Sequence, residues 1–151
     1  ATAHLYIEEY FAQFPKVKQW MQKTVEEAHK TGYVATIWGR KRFIPELQVA
    51  NKMIKAFGER AAVNHPIQGS QADMIKKAMV DIDSELKKQQ LDCQLILQVH
   101  DELLFECDPK CLEQAARIIK DKMEHSLELS VPVLAEVKSG KNWGEMNPLT
   151  I

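Results

Sequence analysis

His100, Asp101 and Glu102 stand between two runs in which apolar residues alternate, Leu95, Leu97 and Val99 before them and Leu103, Phe105 and Cys107 after. Period-two alternation marks half-buried strands, so the imidazole and the two carboxylates fall at the tip of a predicted β-hairpin. Acids held on a rigid hairpin can grip a hard cation such as Mg²⁺, which takes oxygen ligands and works with phosphate substrates. A solvated turn is the competing reading, because acidic residues are common wherever a turn meets water.

A second set could do recognition rather than reaction. Arg60, Asn64 and Gln68 recur every four residues, and on a helix that continues past Asn64 they share one polar face. Arg pairs with phosphates. Asn and Gln each carry a donor and an acceptor, so they can meet the N3 and O2 acceptors of the minor groove whichever base pair is present. Such a face suits a duplex read by shape, with an ordinary solvated helix face as the alternative. Arg40, Lys41 and Arg42 lie between Trp38 and Phe43, a basic tip able to hold a nucleic-acid backbone or simply to keep a hairpin in solution. Nucleophilic catalysis finds little support. There is no Gly-x-Ser-x-Gly elbow, and the five histidines form no His-Glu-x-x-His pattern. Cys107 and Cys111 are four apart, short of the four ligands that a structural zinc site needs.

These residues must be positioned by a chain of 151 residues that is 45% hydrophobic, enough for one ordinary domain with a real core. Twenty basic and 21 acidic side chains nearly cancel, so any polyanion partner must be met by local patches rather than by a global field. No apolar run is long enough to cross a bilayer and no signal-peptide pattern opens the chain. Three cysteines, an odd number, suit reduced thiols. The expectation is a soluble, cytoplasmic protein without membrane contact.

No repeat, low-complexity tract or linker interrupts the sequence, which predicts a single unit over 1–151. A helix is expected over 4–14, and a second from Pro15, a favoured first helical residue, to Gly32 as its C-terminal cap. A hairpin turns at Gly39. A helix from near Val49 is expected to end around His65 and Pro66, since proline disfavours helix in the residue before it. Ser70 and Asp73 resemble a capping box that opens the best-patterned helix, with Ala72, Ile75, Met79, Ile82 and Leu86 on one face. Leu112, Ala115, Ile119, Met123 and Leu127 mark another amphipathic helix, and Val133, Ala135 and Val137 a last strand. The order argues for an α+β fold, a small antiparallel sheet with amphipathic helices packed on one face.

In order and wording these segments resemble a known family. The runs are Gly32-Tyr33-Val34 through Gly39-Arg40-Lys41-Arg42 to Ile44-Pro45, Glu59-Arg60-Ala61-Ala62 to Asn64-His65-Pro66-Ile67-Gln68-Gly69-Ser70, Ala72-Asp73-Met74-Ile75-Lys76, Gln98-Val99-His100-Asp101-Glu102-Leu103, and Gly140-Lys141-Asn142-Trp143. They look like the carboxy-terminal end of family A DNA polymerases, the bacterial DNA polymerase I type, which serve DNA replication and repair. The resemblance implies a partial polymerase palm with the end of the fingers. It makes Asp101 a palm carboxylate that binds catalytic Mg²⁺, Glu102 an auxiliary acid near the metals, and His100 a neighbour of the primer terminus. Arg60, Asn64 and Gln68 become contacts to the primer-template duplex. The reaction implied is attack of the primer 3′-hydroxyl on the α-phosphate of a deoxynucleoside triphosphate, with pyrophosphate leaving. Gln71 departs from the pattern, standing where the family usually has a small residue.

The resemblance also implies parts that have no counterpart here, an upstream palm aspartate and a fingers helix with a lysine and an aromatic residue that hold the incoming nucleotide. Two metal ions need oxygen ligands converging from several segments. The expectation is therefore a C-terminal fragment that binds Mg²⁺ weakly or not at all, is inactive as a polymerase alone, and needs the missing N-terminal part, supplied in the same chain or by a naturally split partner. An unpaired sheet edge left by that part predicts self-association. Two other classes stand beside this reading, a non-catalytic duplex-binding module and a metal-dependent nuclease using Asp101 and Glu102 with a third acid.

Overall fold

Proline and glycine set the limits of the second helix, as their chemistry dictates. In the computed structural model, which describes residues 2–151, α1 spans Thr2–Gln13 and α2 spans Pro15–Thr31 with the proline in its first turn. Gly32 ends α2 in the left-handed region at φ 76°, its N–H bonding the Ala28 carbonyl at 2.8 Å. A side chain would strain that conformation. The chain then reverses through β1, Tyr33–Ala35, and β2, Lys41–Phe43, paired antiparallel with Val34 opposite Arg42. A 3₁₀ turn over Pro45–Gln48 tucks Leu47 in with Ala28, Val34, Ile44 and Ala62, a first buried cluster.

The expected break at Pro66 is absent. One helix, α3, runs over Lys52–Lys88 with Pro66 inside it, so Ser70 and Asp73 lie mid-helix and do not cap. An internal proline costs about 3 kcal/mol through one lost hydrogen bond and a clash. Packing on both sides offsets that cost. Ala62 is buried in the first cluster, and Ala78, Ile82 and Leu86 are buried in a second. The Ser70 hydroxyl also donates back to the Pro66 carbonyl, the local bond that serine makes when caught inside a helix.

The expectation of a single unit needs the same correction. The chain divides into two compact units, one ending at Gln71 and the other Ala72–Ile151. No linker marks the boundary because it falls inside α3, and each unit has its own buried cluster.

In the second unit β3, Cys93–Val99, pairs antiparallel with β4, Glu102–Cys107. Cys93 faces Cys107 and Leu95 faces Phe105, but Leu97 pairs with Leu104 because the register shifts between Leu95 and Leu97. The alternation of Leu95, Leu97 and Val99 therefore does not line one face. The extra residue of a bulge turns Leu97 to the side opposite Leu95. Helix α4, Leu112–Glu124, contributes Ala115, Ile118, Ile119 and Met123 to the cluster that covers Cys93, Leu103, Phe105 and Cys107. Helices thus pack on one face of this hairpin, in an α+β fold.

The predicted strand over 133–137 does not form. A ladder needs a partner, and among the described residues the strands pair only as β1 with β2, β3 with β4, and β5, Lys138–Ser139, with β6, Asn147–Pro148. The alternation survives as burial, with Val133, Ala135 and Val137 half-buried and Leu134 83% exposed. Antiparallel pairing is distributed over three two-stranded ribbons.

Candidate nucleic-acid interface

Because α3 is continuous, Arg60, Asn64 and Gln68 do share a face, and all three are exposed. None of them makes a side-chain hydrogen bond or ion pair with another described residue, so their donors and acceptors point to solvent. The opposite side of the same helix is buried at Gly58, Ala62 and Gly69.

Tertiary contacts, not a helix cap, hold that helix face in place. Ser70, expected as a cap, accepts a hydrogen bond from the Ile37 N–H at 2.9 Å. Arg40 donates from its guanidinium to the Gly69 carbonyl at 3.1 Å, and its own N–H donates to Thr36 Oγ1 at 3.2 Å. The hairpin tip and α3 approach so closely that a Cβ on Gly69 would lie 2.7 Å from Thr36 Cγ2. Only glycine fits there. The signal was present as Gly69-Ser70 after a polar helix face, but the local capping pattern offered a simpler explanation.

The basic tip is therefore not uniformly free to contact a ligand. Arg40 is engaged with α3, and the Lys41 ammonium sits 4.3 Å from the centroid of the Tyr33 ring, where the negative face of the ring attracts it. Arg42 lies on β2 opposite Val34 and is exposed, with Phe43 beside it 71% exposed.

The acids stand in the second unit, where the structure brings His100, Asp101 and Glu102 together at one hairpin end. His100 and Asp101 form the turn between Val99 and Glu102, which are paired across the ribbon. His100 takes φ 54° and its carbonyl accepts a hydrogen bond from Gln98 Nε2 at 3.0 Å. All three residues are exposed. The Mg²⁺ expected at Asp101 is a hard cation that wants several oxygens converging on it. Among the described residues no group of three or more His, Cys, Asp or Glu is placed to hold a metal ion. Asp101 and Glu102 do not fit as a metal site by themselves.

At the far end of the same ribbon the three cysteines gather, with Cys107 Sγ 3.5 Å from Cys111 Sγ. Burial pushes the Cys93 and Cys107 thiols above their ordinary range, which keeps them protonated and unreactive.

Residues 1–145 match the profile of DNA polymerase family A. DNA polymerase I of Bacillus subtilis (strain 168) is 46% identical over 141 residues, 93% of this chain and 16% of that protein. DNA polymerase I of Mycobacterium leprae (strain TN) is 44% identical over 142 residues, 94% of this chain and 16% of that protein. Among solved structures, the POL domain of Pol1 from M. smegmatis in complex with DNA primer-template and dNTP is similar with a TM-score of 0.84 and 40% identity, over 87% of this chain and 23% of that one. The chain spans about 16% of the length of the curated relatives it matches.

Proposed function

Because this chain belongs to DNA polymerase family A, we propose that it supplies the duplex-gripping helix face and one carboxylate-bearing hairpin of a DNA-directed DNA polymerase. The observation that carries this reading is the exposed, unpartnered row of Arg60, Asn64 and Gln68 on α3. Arg60 engages a phosphate by charge. Asn64 and Gln68 bond acceptors in the minor groove without regard to sequence, as an enzyme that must copy any template requires. Arg40 positions this face through Gly69, while Arg42 meets the phosphate backbone.

The complete enzyme transfers a nucleotide to a primer 3′-hydroxyl with loss of pyrophosphate. There the protein's work is mainly positioning and neutralisation of charge. Asp101 is the residue on which that reaction most depends, Glu102 assists it, and His100 stands beside the primer end. With no third His, Cys, Asp or Glu beside Asp101 and Glu102 among the described residues, the donor set argues that Mg²⁺ binds this chain weakly or not at all and that the remaining ligands come from other parts of the polymerase. A non-catalytic duplex-binding role for the isolated chain is favoured by the same observation. In the extended segment 133–137 the Ala135 N–H donates to a Glu124 carboxylate oxygen at 2.9 Å and the Val137 carbonyl accepts from the Leu149 N–H at 2.8 Å. The backbone edge that these bonds leave open is where the upstream polymerase region pairs, or where a second copy pairs in its absence.

Primer extension tests the catalytic half of the reading. The purified chain should bind primer-template DNA yet extend no primer with Mg²⁺ and all four deoxynucleoside triphosphates. Template-dependent extension that vanishes in Asp101→Ala overturns the reading that Asp101 and Glu102 need metal ligands from elsewhere, and Mg²⁺-dependent strand cleavage that vanishes in the same variant supports a nuclease instead.

A further inference from the structure

We propose that Gln71 is a fourth duplex-contacting side chain on α3, extending the row of Arg60, Asn64 and Gln68 by one helical turn. The inference deepens the duplex-binding reading and rests on it. At 3.6 residues per turn, Arg60, Asn64, Gln68 and Gln71 all fall within a stripe about 80° wide. Pro66 lies between the first two and the last two, so the phase must be tested against the opposite face. Gly58 and Ala62 before the proline and Gly69 after it fall within about 40° of one another by the same arithmetic, and all three are buried. The helix keeps its phase through Pro66.

Gln71 is exposed and forms no hydrogen bond or ion pair with another described residue. Its amide offers both a donor and an acceptor, as Gln68 does. Eleven residues separate Arg60 from Gln71, so at 1.5 Å per residue the row is about 16 Å long. Helix geometry places Gln71 three residues beyond Gln68, where side chains are neighbours on a helix surface. Met53, 83% exposed, lies along the same stripe, and Ile67, 62% exposed, stands about 20° outside it. The ligand class is base-paired DNA, met through groove acceptors or sugar-phosphate oxygens, and the contact carries no charge.

The test is fluorescence anisotropy of a labelled primer-template duplex with the 151-residue chain, at several salt concentrations. Gln71→Ala should weaken binding about three- to tenfold, the worth of one or two hydrogen bonds, and leave the salt slope unchanged because no counterion is released at a neutral side chain. Gln71→Glu keeps the size and adds a charge that phosphates repel, so it should weaken binding further. Gln71 is an exposed helix site at which both replacements are good helix formers, and circular dichroism verifies folding. Binding that falls in Arg60→Ala but is unaltered in both Gln71 variants overturns this inference alone. Binding that is undetectable in the unaltered chain, or indifferent to Arg60→Ala, overturns the duplex-binding reading beneath it.

Discussion

His100 holds a left-handed backbone at φ 54°, which costs a residue with a Cβ but is tolerated by histidine better than by β-branched residues. His100→Val should therefore lower stability by about 1–2 kcal/mol, and His100→Gly should keep the hairpin intact. Urea unfolding of the two variants checks this. Arg60 acts through charge. Arg60→Ala should weaken duplex binding and reduce the salt slope by about 1, whereas Asn64→Ala should weaken binding without altering that slope. The buried thiols make a prediction of opposite character. Burial raises the Cys93 and Cys107 values in the folded chain, so above the ordinary thiol range, about pH 8.5, the native state binds more protons than the unfolded one. Stability must then fall as pH rises through that region. The urea midpoint should drop from about pH 8 to 10, and less so in Cys107→Ala.

At the scale of elements, the contact between the β1–β2 tip and α3 decides where the duplex-facing row points. Gly69→Ala should destabilise the chain by about 1–3 kcal/mol, the usual cost of forcing a methyl into a packed site, because the new Cβ would stand 2.7 Å from Thr36 Cγ2. Adding Thr36→Ser removes that methyl and keeps the hydroxyl that accepts from the Arg40 N–H. The double variant should recover part of the loss, a coupling that thermal or urea unfolding of all four proteins measures. The helix starting at Pro15, its end at Gly32 and the hairpin around His100 and Asp101 were all legible in the sequence, since each is written in local chemistry. The continuity of α3 was not. Pro66 and Ser70 carry the local signals of a break and a cap, and only burial on both sides of the proline overrides them. The shift between Leu95 and Leu97 was equally hidden, because a bulge changes facing without disturbing the alternation of residue types.

For the molecule as a whole, the site was legible as residues and not as a site. The polar row and the acidic hairpin each follow from spacing, but the metal expectation depends on ligands that no described residue provides. The segment 133–137 has the pattern of a strand, but its Ala135 N–H is taken by the Glu124 side chain and, among the described residues, only its Val137 carbonyl meets another stretch of backbone, at the Leu149 N–H, so no ladder forms along it. If that edge pairs with another copy, sedimentation should show a concentration-dependent increase in mass, reduced by Leu134→Lys on the exposed side and by Val133→Pro in the backbone. A single monomeric species at high concentration contradicts it. The central claim, that this chain carries the duplex-gripping face of a family A polymerase, is tested most directly by comparing the affinity of two variants for primer-template DNA. Replacement of Arg60, Asn64 and Gln68 together by alanine should reduce affinity by about a hundredfold, while Asp101→Ala leaves it within about twofold of the unaltered chain. Equal affinity in the unaltered chain and the triple variant would contradict the account.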